Sequence, residues 1–313
     1  MTAVSVIVPA RNASATLPAT LDALLALDPV DGGIEVLVAD DASTDDTRAI
    51  AAAHPAVTRV IDAGGNGPGA ARNTAVAAAA GPVLAFTDAD CVPEPGWLSG
   101  ALAALDAGAD LVQGAVDPSG PVGPFDRTVR VGQLSGLFET ANLVVRREWF
   151  ERVGGFEPWL SPKRSKELGE DVWLGWRLTR AGARVVFAPA ALVHHAVFPG
   201  DSRSFVYEHA RLRFFPLMVA RIPELRRSSF HRRVFLNRRS EAFDIGVLGV
   251  LVAALAASPW PLLATLVYLP HVWSAARPWG RRAPQVAAAR VASDVVGFGA
   301  LIAGSVRARS VLL

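Results

Sequence analysis

A single cysteine, Cys91, stands in a chain of 313 residues. That excludes an intramolecular disulfide and a cysteine zinc cluster, and it fits a reducing cytoplasm. Charge is scarce as well. Asp, Glu, Lys and Arg make up 19% of the residues against 51% hydrophobic, a balance that excludes an extended disordered chain. The opening "MTAVSVIVPARN" has neither a basic region nor a long apolar run, so no signal peptide is expected there. No G-x-G-x-x-G turn follows the first apolar run. "PARNASATL" occupies that place and argues against a dinucleotide-dependent dehydrogenase.

What is present is an alternation. "VSVIVPA" (Val4 to Ala10) is a β-branched run ended by proline, as in a strand buried on both faces. "ASATLPATLDALLAL" has helical spacing, "IEVLVADD" (Ile34 to Asp41) is a second strand, and "DASTDDTRAIAAAH" a turn and helix with Ser43 or Thr44 available as N-cap. "VTRVID", the glycine-rich start of "GPGAARNTAVAAAA" and "GPVLAFTDAD" continue the series. This is the pattern of βαβ units, so an α/β fold with a mostly parallel sheet is predicted. In such sheets ligands bind beyond the carboxyl ends of the strands. Arg11, Asp40, Asp41, Asp88 and Asp90 all fall at those ends.

Asp88 and Asp90 close a buried-looking strand, where carboxylates are costly to desolvate without a compensating group. Paired carboxylates on a tight turn supply hard oxygen ligands for Mg2+ or Mn2+; a strand-end turn capped by aspartates is the alternative. Arg72, near the start of a helix, stands where backbone N–H groups and a guanidinium meet phosphate.

Five segments agree in order and approximate spacing with one family: "VSVIVPARN", "VLVADDASTDDT", "GPGAARN", "FTDADC" and "GEDVWLGWRL". From about Val4 to Ala196 the chain resembles the family 2 glycosyltransferases, whose GT-A fold is a Rossmann-like, mostly parallel sheet flanked by helices. The resemblance implies a metal-dependent, inverting transfer of a sugar from a nucleoside-diphosphate sugar, a UDP-sugar first, to an acceptor hydroxyl. It places Pro9, Ala10 and Arg11 along the nucleotide pocket, with Asp41 facing the base and Asp40 beside it. Arg72 would hold the base or diphosphate, Asp88 the ribose or metal, and Asp90 and His195 the Mg2+ or Mn2+. Asp171 would be the general base and Glu170 its partner, although a pair of acids also suits any helix N-terminus. His195 would equally serve as an ordinary strand-end residue. Asn142, Trp173 and the Gly154-Gly155 turn would shape the acceptor side. The Q-x-x-R-W signature of processive synthases is missing from "EHARLRFF" (Glu208 to Phe215), which favours single additions. Two alternatives stand beside this: a catalytically silent, membrane-bound nucleotide-binding or scaffolding module, and a sugar nucleotidyltransferase. The latter needs a glycine-rich loop with a basic residue after the first strand.

The last third is different. Arg221, Arg226, Arg227, Arg232, Arg233, Arg238 and Arg239 crowd one stretch containing a single acid, Glu224, which leaves nucleic acid and an anionic membrane open as partners. Ile245 to Trp273 then contains no Asp, Glu, Lys or Arg and exceeds the roughly 20 residues that span a bilayer. With Pro259 and Pro261 near its middle, it reads as one kinked span or as a re-entrant hairpin. Val286 to Val306 is a weaker apolar stretch, interrupted by Arg290 and Asp294. The expected organisation is a catalytic domain over 1–215, a basic juxtamembrane segment over 216–243 and a hydrophobic helical region over 244–313. Membrane lipid is then the expected partner in place of nucleic acid, with the catalytic domain on the cytoplasmic side of the cell membrane and a sugar, lipid or other hydroxyl as acceptor.

Overall fold

The computed structural model describes residues 3–157 and 169–313. They form two units, one of residues up to 121 with 128–197, the other of 122–127 with 198–313.

The first unit is an α/β sandwich. Its elements are β1 (Val4–Ala10), α1 (Leu17–Leu25), β2 (Ile34–Asp40), α2 (Thr47–Ala53), β3 (Arg59–Asp62), α3 (Pro68–Ala78), β4 (Val83–Thr87), β5 (Cys91–Pro93), α4 (Trp97–Asp106), β6 (Leu111–Pro118), β7 (Asn142–Arg146), α5 (Arg147–Arg152), α6 (Glu170–Arg180) and β8 (Val185–His195). The strands make one sheet in the order β3-β2-β1-β4-β7-β6-β8-β5. Period-two alternation sorts β1 between two cores. Val4, Val6 and Val8 face Leu17, Leu21, Trp97 and Leu98 on one side, while Ile7 joins Leu84, Phe86, Leu143 and Leu174 on the other. Each such side chain, fully buried, contributes about 1.5–3 kcal/mol.

The strands β3, β2, β1 and β4 are parallel, as the alternation predicts; β7 and β5 run antiparallel to their neighbours, which makes the far half of the sheet mixed. After β3 the chain crosses back over β1 to lay down β4, so the strand order reverses between β1 and β4. A crevice opens at such a point. Here the β1–β4 ladder stops at Ile7 opposite Phe86, whereas the β1–β2 ladder runs on to Ala10 opposite Asp40. Pro9, with no N–H to donate, sits where the strands part.

The second unit is helical: α7 (Ser202–Glu208), α8 (Phe215–Arg221), α9 (Leu225–Ser228), α10 (Arg238–Ala256), α11 (Leu269–Ala276) and α12 (Ala283–Ala308), joined in part by 3-10 turns. Asn237 caps α10 through a capping box with Ser240. The apolar run from Ile245 does not continue as one kinked span. Ala257 adopts a left-handed backbone (φ 48°), α10 ends, and a 3-10 stretch, Trp260–Val267, returns against it. The approach is close enough that a Cβ on Gly249 would lie 2.5 Å from the Pro261 carbonyl oxygen. Of the two forms open to the sequence, the structure adopts the hairpin. Among the described residues one stretch, Trp260–Ala308, is long and apolar enough to cross a membrane by length and composition; Gly280 breaks its helical geometry.

Candidate active site

The loops after β1 and β2 lock one another. The Asn12 N–H donates to Ser43 Oγ (3.0 Å), Asn12 Oδ1 accepts from the Thr44 N–H (2.8 Å), and Ala13 and Ser14 donate to Thr47 Oγ1 and Asp45 Oδ2. Ser43 and Thr44 therefore hold loop to loop and do not cap α2, whose N-cap position is Asp46. Behind this clasp Asp41 is buried, its Oδ2 taking the Gly67 N–H at 3.1 Å with Arg11 at 3.7 Å. Gly67 has φ 95°, a conformation that suits glycine, at the N-cap of α3. Asp41 Oδ1 is buried and has no hydrogen-bond partner among the described residues. Asp40 is engaged by Arg48 at 3.5 Å and by the Ser43 N–H.

Arg72, on α3, departs from its sequence expectation. It is buried, with its side chain 3% exposed, and its guanidinium reaches Asp88 Oδ1 at 2.6 Å and Glu170 Oε1 at 3.4 Å, with Phe156 stacked at 5.5 Å. Burial opposes its charge, but the two carboxylates outweigh that and raise its pKa. Its charge is thus already matched inside the protein. Rather than lying open to a diphosphate, Arg72 ties the end of β4 to the start of α6.

Asp90 and His195 converge because β5 and β8 pair antiparallel with Cys91 opposite His195. His195 Nε2 lies 3.6 Å from Asp90 Oδ1, and its Nδ1 lies 2.7 Å from the Ala196 carbonyl and 3.3 Å from Thr128 Oγ1. An Nδ1–H donated to that carbonyl leaves Nε2 with its lone pair toward the carboxylate. Two acceptors at 3.6 Å suit a shared cation, since ligands about 2.1 Å from one ion sit within about 4.2 Å of each other. The Cys91 Sγ belongs to the same cluster. Burial first, then Asp88 and Asp90, push its thiol well above the ordinary range. Asp88 stands outside that cluster, with Oδ1 on Arg72.

Gly169 (φ 76°) starts α6, and Glu170 and Asp171 occupy its first turn. Desolvation first, then the neighbouring Glu170, raise the Asp171 carboxyl well above its usual value of 3.8; Arg72 pulls the other way. Glu139 adds a further like charge. It is a residue that sequence reasoning missed, although "ETAN" lay in view: its Oε2 is buried without a partner among the described residues, and burial raises its own pKa. Glu139 is set by Phe138, whose ring lies against α6 at Gly175, where any Cβ would come within 2.1 Å of it.

Asn142 is not on an acceptor surface. It is fully buried; its Oδ1 accepts from Trp97 Nε1 (2.8 Å) and its Nδ2 donates to the Ala115 and Ala191 carbonyls. It closes the irregularity where β6 slips register on β8 after Gly114, and its role is structural. The Gly154-Gly155 turn serves α6 in a similar way, for Arg177 donates to the Val153 and Gly155 carbonyls. Trp173, two residues along α6 from Asp171, donates to Glu157 Oε2 at 2.8 Å and carries Arg177 and Arg180 over its ring.

Residues 5–157 match the model of "Glycosyl transferase family 2". The Haloferax volcanii glycosyltransferase AglE is 31% identical over 63% of this chain and 67% of its own length. A pre-mycofactocin glycosyltransferase of Mycobacterium tuberculosis is 30% identical over 61% of this chain, which spans only 42% of that protein. Among solved structures, the Pyrobaculum calidifontis mannosyltransferase PcManGT, in complex with GDP-Man and Mn2+, superposes with a TM-score of 0.55 at 23% identity, covering 98% of this chain and 86% of the other. That likeness supports the GT-A fold. The chain belongs to glycosyl transferase family 2.

Proposed function

We propose that the chain transfers a sugar from a nucleoside-diphosphate sugar to an acceptor hydroxyl with inversion at the anomeric carbon. The observation that carries this is Asp171, a carboxylate with a raised pKa, linked to the donor-side Asp88 through Glu170 and Arg72. A carboxylate poised toward neutrality suits removal of a hydroxyl proton during attack. With that one base on the acceptor side, a single displacement follows, and the product is the opposite anomer.

Asp41 Oδ1, buried without a partner, supports recognition of a base N–H. One open acceptor matches the single N3–H of uracil, whereas guanine offers two donors, so a UDP-sugar is the donor we place first. Pro9, Ala10 and Arg11 would line the same pocket. Asp90 and His195 would hold Mg2+ or Mn2+, an oxygen–nitrogen donor set suited to either, and the bound cation would offset the charge of the departing diphosphate. The exposed leucines of the second unit support membrane association. We further propose the catalytic domain over 1–215 on the cytoplasmic side, with the basic segment 216–243 and the apolar region 244–313 at the lipid and a lipid-linked hydroxyl as acceptor; the arginines flanking the apolar region favour that side.

The test is turnover of the full chain on UDP- and GDP-sugars with membrane extracts, and the anomeric configuration of the product. Retained configuration would refute the mechanism. Independently, Mn2+ at a hundredfold its Kd should stabilise the protein by about 2.7 kcal/mol. The gain should vanish in Asp90→Ala; an unchanged shift would remove Asp90 from the metal site.

A further inference from the structure

The base of the C-terminal hairpin carries a cleft of about 430 Å³. Its polar wall is His231, Arg232, Arg238, Glu241 and His271, and Ile245 and Val267 lie beneath. Glu241 is the wall's only acid, and it is taken by Arg232 at 2.8 Å and His231 at 3.0 Å. Arg238, exposed in the first turn of α10, pairs with no carboxylate among the described residues. The cleft therefore keeps a cationic excess with two imidazoles beside it, set against an apolar floor. This chemistry fits a phosphate ester attached to hydrocarbon.

The dimensions agree. From Ile245 to Ala256, α10 is apolar and rises about 17 Å, close to half of a hydrocarbon core of about 30 Å. At the far end of this arm, Leu255 and Trp260 are 88% and 75% exposed. With that tip near the bilayer midplane, the cleft at the base stands at the level of the lipid phosphates. A single leaflet suffices for such an arm, which turns back at Ala257.

We propose that this cleft binds the phosphate of an anionic phospholipid whose chains lie along the hairpin. The inference rests on the membrane association proposed above. Its test uses the full chain, diluted from mild detergent onto vesicles of phosphatidylcholine alone or with about a third phosphatidylglycerol, and scored by flotation. The expected result is binding to both, tighter to the anionic vesicles. The double variant Arg238→Gln with His271→Gln should weaken the anionic preference at least about fivefold, the equivalent of about 1 kcal/mol for one arginine near the surface. Binding to phosphatidylcholine should not change. Two control substitutions, Arg277→Gln with Arg281→Gln, should leave the preference nearly intact. An equal loss in those controls would mean diffuse attraction and overturn the cleft. An anionic preference unmoved by Arg238→Gln with His271→Gln would overturn it too, while leaving membrane association standing. Glycerol 1-phosphate that abolishes the preference at concentrations comparable to the lipid would point to a soluble phosphate ester and refute the lipid. Failure to float with either vesicle would refute the membrane association itself.

Discussion

Replacing Arg72 by Met would remove a cation shared by Asp88 and Glu170 while keeping most of the side-chain volume. The guanidinium is buried, and Glu170 is buried beside it, so the variant takes a cation away from an interior carboxylate. Breaking a buried pair in this way costs about 3–5 kcal/mol. Most of that belongs to Glu170, because the Asp88 side chain is 29% exposed and water screens part of its loss. For a unit of this size, about 2–4 °C per kcal/mol translates the cost into a drop in Tm of about 6–20 °C. The pH dependence has a definite sign. Arg72 holds the Asp171 pKa down against burial and Glu170, so its removal lifts that pKa further. A carboxyl raised in the fold favours folding while protonated, and that advantage is lost as pH climbs through the folded pKa. The gap between variant and parent should therefore widen with rising pH, over the range between the parent's folded Asp171 pKa and the variant's higher one. Scanning calorimetry across that range is the assay, with Arg72→Lys as a control that keeps the charge but not the fork. A loss below about 1 kcal/mol that is flat with pH would refute Arg72 as the tie between β4 and α6.

Asp171→Asn should reduce transfer by about 10² to 10⁴ and yet stabilise the fold at pH 8, well above the ordinary carboxyl value, because burial opposes ionisation of the parent's acid. The stabilisation should fade to nothing near the unfolded value of 3.8, with about 1.36 kcal/mol for each unit by which the parent's folded pKa is raised; thermal melts against pH read it directly. Asn142→Ala leaves the Trp97 N–H and two buried carbonyls without partners, a cost of about 1–3 kcal/mol for each group, so Tm should fall while the acceptor KM of the folded fraction stays unchanged.

The sequence made the first half of the fold legible because its physics is local there. A β-branched run ended by Pro9 can only be a buried strand, and the acids at 40, 41, 88 and 90 mark strand ends whose convergence follows from parallel order alone. Partners were harder to read than positions. Arg72 looks the same in sequence whether it faces a ligand or two carboxylates, and its burial depends on Phe156 and Glu170, more than eighty residues away. Asn142 looked like a polar lining residue because nothing in "ETANLVV" reveals a slipped register on β8 that needs an amide to close it. Glu139 was passed over for the same reason, since its effect on Asp171 arises from a helix that starts thirty residues later. In the C-terminal part, composition identified the apolar run, while the choice between span and hairpin lay in one residue, Ala257, whose left-handed turn no propensity demands.

The two halves of the site are built to different tolerances. The loops after β1 and β2 are fixed by at least four hydrogen bonds to each other, one of them accepted by Asp45. Gly169, itself without a side chain, turns the chain into α6. Its two acids crowd each other and Glu139, while Arg72 draws Glu170 toward Asp88. Desolvation first, then repulsion among the acids, raise the Asp171 pKa, so the same crowding is part of what makes its carboxylate a base. A change at Asp88 that releases Arg72 would therefore be felt at Asp171 without touching it. The prediction is an altered pH profile of transfer in Asp88→Asn, shifted in its acidic limb, where the base loses its proton, as well as reduced in height. A profile lowered uniformly, with the same shape, would show that the donor and acceptor sides are electrostatically independent.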